Sequence, residues 1–175
     1  MAKTGWSWTA SGDLQIIGDN LSMDVSSGSG MGFLSLSLPS NAAPAFHYFE
    51  DSSEESASHS LRLSIEILQI FRSSMVISSP SEQPFLVEVE DESLVLRLEN
   101  PGNGDDSFNL GYSLILDENI TEDPGVDVSF SRDLVSLSAG SLTTVPVTVM
   151  LPENTPARVP LKISFSMQSE GDSSI

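Results

Sequence analysis

The sequence predicts an all-β protein, and three observations support this. Apolar and polar residues alternate strictly over short runs, which is typical of antiparallel strands with one buried face. Clusters of Gly, Pro, Asn and Asp separate the runs, as expected of a β-sandwich. No window places apolar residues at i, i+3, i+4 and i+7, as an amphipathic helix requires. The clearest alternating runs are 34–38, 61–67, 94–98, 145–149 and 161–167.

An internal repeat predicts two successive units. The segment from Leu34 to Asn41 recurs as Val147 to Asn154, and each copy is an alternating strand that ends in Leu-Pro-x-Asn. Proline ends such a strand because it cannot donate a hydrogen bond to the ladder. More strand-like segments precede the second copy than the first, and a last strand would begin only at the end of the chain. We therefore expect residues 1–70 to be the C-terminal part of one sandwich, and 71–175 to be a second sandwich that lacks its last strand.

Three segments of the second unit resemble a known family. Residues 96–108 resemble a hairpin of microbial Ig-like extracellular domains, in which a strand is followed by Asn-x-Gly-Asn, acidic residues and a strand with an aromatic residue. Residues 135–149 are similar to another segment of these domains, in which apolar residues, a small residue and Gly-Ser-x-Thr precede an alternating strand. Residues 151–157 are similar to the proline-containing corner that precedes the next strand in these domains. The whole resembles Ig-like domains attached to glycosidases, and the adhesion-related CARDB domains. The resemblance implies an immunoglobulin-like antiparallel β-sandwich in tandem units that serve as spacers, adhesion units or accessory modules.

The charge of the chain excludes several classes of partner. It has 25 acidic and 7 basic residues, so the net charge is −18. Such a chain is repelled by nucleic-acid phosphates and by anionic lipid headgroups. There is no cysteine, which excludes disulfides, zinc knuckles and a thiol nucleophile.

The composition also bears on where the protein works. Many carboxylates with few lysines keep a protein solvated in salty surroundings, where self-repulsion is screened. We therefore expect a secreted or cell-surface protein, although Met1 to Trp8 lacks the pattern of a signal peptide. No apolar run reaches the roughly 18 residues of a membrane span, so direct membrane insertion is not expected.

Acidic loops form the candidate metal site. Calcium takes about six to eight oxygen ligands, which loops at one end of a sandwich can supply together. Asp105, Asp106 and Asp123 are the candidate ligands of such a calcium ion. An Asp-x-Asp-x-Asp-Gly loop is absent, and solvated acidic loops are the alternative interpretation.

The sequence predicts no catalytic residues and no cofactor other than this calcium. A Gly-x-Ser-x-Gly elbow is absent, and both histidines, His47 and His59, lie in the first unit. Paired glycosidase carboxylates need a shaped cleft, which a small sandwich rarely offers. We therefore do not expect an enzyme.

Aromatic residues near the N-terminus suggest a ligand site. Trp6 and Trp8, with Tyr48, would form a platform on which sugar rings stack, whereas burial in a core is the alternative. The main hypothesis is a non-catalytic structural or adhesion module that contacts neighbouring Ig-like domains or surface proteins. The alternative is a carbohydrate-binding accessory module of a secreted glycosidase, with polysaccharide as its partner.

Overall fold

The computed structural model describes residues 5–17, 20–23, 30–39, 41–51, 61–80, 92–115, 125–153 and 162–175. Every regular element among them is a β-strand, and every strand pair is antiparallel, which confirms the all-β prediction. The strands are β1 (Ser7–Gly12), β2 (Leu14–Ile17), β3 (Asn20–Met23), β4 (Gly32–Ser37), β5 (Ala45–Asp51), β6 (Leu61–Ile67), β7 (Ser74–Ser79), β8 (Glu92–Glu99), β9 (Asp106–Ile115), β10 (Asp127–Phe130), β11 (Leu134–Leu137), β12 (Leu142–Met150) and β13 (Lys162–Ser169).

The chain divides into two compact units, Met1–Gln69 and Ile70–Ile175. Their assignment to successive Ig-like sandwiches, the first incomplete, stays a prediction.

In the described part of the first unit the strands form three two-stranded pairs, β1 with β4, β2 with β3, and β5 with β6. A tight turn joins β1 to β2, and Gly12 at φ 74° adopts the left-handed conformation that it needs. Asp13 links this turn to the start of β4, because its carboxylate accepts the N–H of Met31 at 2.9 Å and its own N–H donates to the Met31 carbonyl. Where their burial is described, the side chains of these strands are half-buried or exposed, so each pair has only a thin apolar face.

The second unit has two sheets that share one core. The first sheet has the order β10-β12-β8-β7, and the second has the order β11-β9-β13. Alternate residues of both sheets point inward and form a single buried cluster, an arrangement consistent with a β-sandwich. Its fully buried members are Leu94, Leu96, Leu98, Phe108, Val135, Val145, Val147 and Val149.

The connection between β8 and β9 corrects one expectation. The sequence predicts a tight hairpin here, but β8 and β9 belong to different sheets, so residues 100–105 cross between the sheets. Buried Asn100 holds this crossing, since its Nδ2 donates to the carbonyls of Gly104 and Leu137 and its Oδ1 accepts the N–H of Gly102. A Cβ on Gly102 would collide with the Ile70 carbonyl, so the glycine is needed for space.

The sequence predicts that the core between the two sheets consists of Phe108, Tyr112, Phe130, Leu137, Val147, Val149, Ile163 and Phe165. The structure confirms the centre of this core, whereas its outer members are less buried than predicted. Phe108, Leu137, Val147 and Val149 are buried as predicted. Phe130, Ile163 and Phe165 are only partly buried, and Tyr112 is 39% exposed. The difference arises because residues at the rim of a sandwich contact the opposite sheet on one side only.

Candidate functional site

The structure gives two of the three predicted calcium ligands other partners. Asp105 accepts the N–H of Ala139 at 3.1 Å. Asp106 accepts the N–H of Ser107 at 2.8 Å and the hydroxyl of Ser169 at 2.6 Å. The two carboxylates therefore tie the start of β9 to different neighbours, and both hold structural hydrogen bonds.

The third predicted ligand, Asp123, lies outside the described residues. In the described part of the chain, no group of three Asp, Glu or His side chains lies close enough to hold a metal ion. The calcium site stays a prediction.

Of the aromatic side chains predicted to form a sugar-binding platform, only that of Tyr48 is largely exposed. Trp6 and Trp8 are half-buried, and the ring of Trp6 meets that of His47 edge-on at 4.7 Å between centroids. Tyr48 is 75% exposed, and Phe46, two residues before it on the same face of β5, is 60% exposed. The accessible aromatic surface of this unit therefore includes β5, a strand that sequence reasoning did not single out beyond Tyr48.

Sheet edges are the other candidate for interaction. Among the strands that the structure describes in the second unit, three of the four sheet edges carry features that discourage pairing. The edge strands β10 and β11 have four residues each. The edge strand β7 has an irregular register between Ile77 and Ser79, and Pro80 follows it. Short strands, irregular register and proline are the usual means by which natural sheets keep other chains from adding a strand.

The fourth edge, formed by β13, lacks these features. It has eight residues, pairs with β9 without a register shift, and contains neither proline nor an inward-pointing charge. Among the strands that the structure describes, β9 is its one neighbour. We call the side of β13 that faces away from β9, over residues 162–168, the open edge.

Hydrogen bonds at the end of β13 define which backbone groups face outward. The N–H of Glu170 donates to the Ser107 carbonyl, toward β9, whereas the N–H of Ser169 donates to the Ile175 carbonyl, away from β9. Because the direction alternates along an antiparallel strand, the N–H and C=O groups of Ile163, Phe165 and Met167 face the open edge. The same groups of Ser164 and Ser166 face β9.

The core is incomplete beside the open edge. The inward side chains of the central strands β8 and β12, such as Leu96 and Val147, are fully buried. In contrast, Ile163 and Phe165 on β13 are only partly buried, as are Met75 and Ile77 on β7, the edge strand of the opposite sheet. Apolar surface and outward-facing backbone groups therefore occur on the same edge strand.

The chain already begins a ladder at one end of this edge. After β13 it turns back, so that Ile175 lies opposite Ser169 with a hydrogen bond of 2.9 Å. Gln168 Nε2 donates to the Ser173 carbonyl at 3.0 Å, and Asp172 accepts the N–H and the hydroxyl of Ser174. The two Ser174 hydrogen bonds, led by that of the hydroxyl, lower the pKa of Asp172 below 3.8. The turn thus directs the chain antiparallel to β13.

Sequence reasoning predicted the β13 strand but not the importance of its edge. The available signal was the run Lys162 to Gln168, which alternates throughout and holds no proline. Which strand lies at an edge depends on the sheet order, and alternation alone does not contain that information.

Comparisons of the chain with protein-family models, with curated proteins and with solved structures give no match. No helix capable of spanning a membrane occurs in the described segments.

Proposed function

We propose that this chain is a non-catalytic Ig-like module of a secreted or cell-surface protein, and that it acts as a spacer or protein-interaction unit. The observation that carries the proposal is the open edge of β13, where outward-facing backbone groups adjoin partly exposed core residues. An edge of this kind binds partners by adding a strand to the sheet.

The sheet order supports the Ig-like type. In constant-type Ig domains the sheet orders are A-B-E-D and C-F-G. With β7, β8, β12 and β10 as A, B, E and D, the first sheet has this order. With β9 and β13 as C and F, the second sheet has C beside F, as in Ig domains. It departs from the constant-type order because β11 pairs with the other side of β9. The position beside F, which strand G takes in that scheme, is the open edge.

The hydrogen bonds of the polar side chains in the second unit support a structural role over a catalytic one. Asp105 and Asp106 tie the start of β9 to its neighbours, and Asn100 fixes the crossing between the two sheets. The hydrogen bonds of Asn100 are buried, and buried hydrogen bonds make a module rigid, which both a spacer and a binding edge need. The charge of −18 supports an acidic surface suited to salty extracellular surroundings.

The proposal is tested by supplying a strand in cis. The segment Thr-Val-Thr-Val-Thr-Val is appended after Ile175, so that its valines lie opposite Met167, Phe165 and Ile163 on the inner face. Burying these valines and pairing the outward-facing backbone groups of β13 should together exceed the entropy cost of ordering the segment by about 1 kcal/mol, and we expect the Tm of the second unit to rise by about 4 °C.

The control appends Val-Thr-Val-Thr-Val-Thr, which has the same composition but turns every valine to the outer face. We expect this variant to melt like the parent chain. Equal Tm values for all three proteins would contradict the proposed open edge.

A second candidate function is carbohydrate binding by an accessory module, and the exposure of Phe46 and Tyr48 favours it. Two aromatic rings on one face of a strand give sugar rings a stacking surface. Polysaccharide affinity chromatography of the full chain tests it: retention that is lost in Tyr48→Ala would support this function. No retention on any polysaccharide would contradict it.

A further inference from the structure

We infer that the open edge of β13 binds one extended peptide segment, antiparallel to β13, with alternating apolar residues, a basic N-terminal end and an acidic C-terminal end. This inference rests on the proposed interaction function and specifies the partner.

The width of the site limits the partner to a single strand. Of the described strands, four form the first sheet and three form the second, so one strand beside β13 gives both sheets the same number. Its inward side chains would add apolar contacts for the partly buried Ile163 and Phe165. A helix bonds its own backbone groups internally, so it does not offer the free N–H and C=O groups with which those of Ile163, Phe165 and Met167 could pair.

The direction of the partner follows from the surrounding structure. Every pair in the described part of the chain is antiparallel, and Ile175 already forms the first antiparallel contact at Ser169. Antiparallel pairing is also slightly more stable per residue than parallel pairing. The N-terminal end of the partner therefore lies near Gln168 and its C-terminal end near Lys162.

Charges at the two ends of β13 give the partner its polarity. Lys162 is exposed at one end, whereas Glu170 and Asp172 follow the other end. The outer face between them carries only Ser164, Ser166 and Gln168. Opposite charges across a strand pair are favourable and like charges are not, so an acidic residue is preferred opposite Lys162 and a basic one near Glu170.

The overall charge argues against a second copy of this chain as the partner. Each copy carries a charge of −18, and strong like charge keeps proteins apart. A partner strand with a basic end gains from the same charge.

The experiment titrates two peptides into the ¹⁵N-labelled full chain and follows its amide signals by NMR. Peptide one is acetyl-Lys-Val-Thr-Val-Thr-Val-Glu-amide, and peptide two exchanges only its end residues. We expect peptide one to shift the amides of Ile163, Phe165 and Met167, and to bind about fivefold more tightly than peptide two at low salt.

Matched variants test whether Lys162 causes the preference for peptide one over peptide two. Lys162→Gln removes the cation, and the affinity ratio of the two peptides should fall to about twofold because one of two charged ends is lost. Ser164→Ala leaves the charges unchanged and should keep the fivefold ratio. An unchanged ratio in Lys162→Gln would overturn the role of Lys162.

Other outcomes overturn the inference in distinguishable ways. If the appended strand in cis raises Tm but neither peptide binds, the partner chemistry is wrong while the interaction function stands. If both peptides bind equally, the polarity is wrong. If the chain alone dimerises with rising concentration and its β13 amides shift, a second copy is the partner. If the appended strand has no effect, the interaction function itself fails.

Discussion

The two copies of the repeated segment have similar sequences but different surroundings. The first copy lies in β4, which pairs only with β1 among the described strands, and its residues alternate between exposed and half-buried. The second begins in β12, between β8 and β10, and its inward residues Val147 and Val149 are fully buried. The difference shows that alternation determines which face of a strand is apolar, whereas burial depends on a second sheet that covers this face.

The same contrast separates the two units as wholes. Buried cores need apolar residues from two packed layers, and the second unit supplies them from two sheets. The described strands of the first unit are arranged only in pairs, and a two-stranded sheet is marginal in water.

The largest expected effect comes from shortening matched leucines in the two units. Leu96→Ala empties a fully buried site in β8 and should cost about 3 kcal/mol of unfolding free energy. Leu36→Ala shortens a half-buried side chain in β4 and should cost about 1 kcal/mol.

Urea unfolding of the full chain measures both effects. Both tryptophans, Trp6 and Trp8, lie in the first unit, so tryptophan fluorescence follows that unit. NMR signals of β8 amides follow the second unit. Equal losses for the two variants would contradict the contrast between the units.

A smaller effect is expected from the polar side chains that link separate segments in each unit. Asn100→Ala removes a buried amide that joins the two sheets and leaves two carbonyls without this donor, so we expect a loss of about 2 kcal/mol. Asp13→Ala removes an exposed hydrogen bond to Met31 and should cost less than about 1 kcal/mol. The same urea titrations measure this, and a larger loss for Asp13→Ala would reverse the ranking of the two links.

The sequence was sufficient to predict the strands with strong alternation. The predicted runs 61–67, 94–98 and 145–149 lie within β6, β8 and β12, respectively. Strands with weaker patterns were missed, among them β10 and β11, which are only four residues long. For such strands, pairing with a long neighbour, and not their own pattern, determines the structure.

The candidate site could be predicted only in part, because it depends on contacts between residues that are distant in sequence. Asn100 resembled a turn residue because Asn and Gly cluster around it, but its carbonyl partner Leu137 lies in another sheet. Likewise, Asp106 resembled a metal ligand, and its hydrogen bond to Ser169 depends on the pairing of β9 with β13. Composition and spacing do not contain these pairings.

The smallest expected effect is on the turn that follows β13. The hydrogen bonds of Ser174 lower the pKa of Asp172, so they stabilise the fold above pH 3.8 and this contribution is lost as the pH falls through the lowered pKa. Ser174→Ala should raise the pKa of Asp172 toward 3.8, as followed by NMR titration of the carboxyl group. Ser173→Ala is the control and should leave the pKa unchanged, and a similar rise in both variants would contradict the assignment to Ser174.

Residue-resolved amide hydrogen exchange of the full chain, at a concentration where its mass is that of a monomer, tests the open edge most directly. We predict fast exchange for Phe165 and Met167, whose N–H groups face outward, and slow exchange for Ser164 and Ser166, whose N–H groups face β9. Uniform protection along β13 in the monomer would show that its edge is already covered, and it would contradict the proposal that a partner strand binds there.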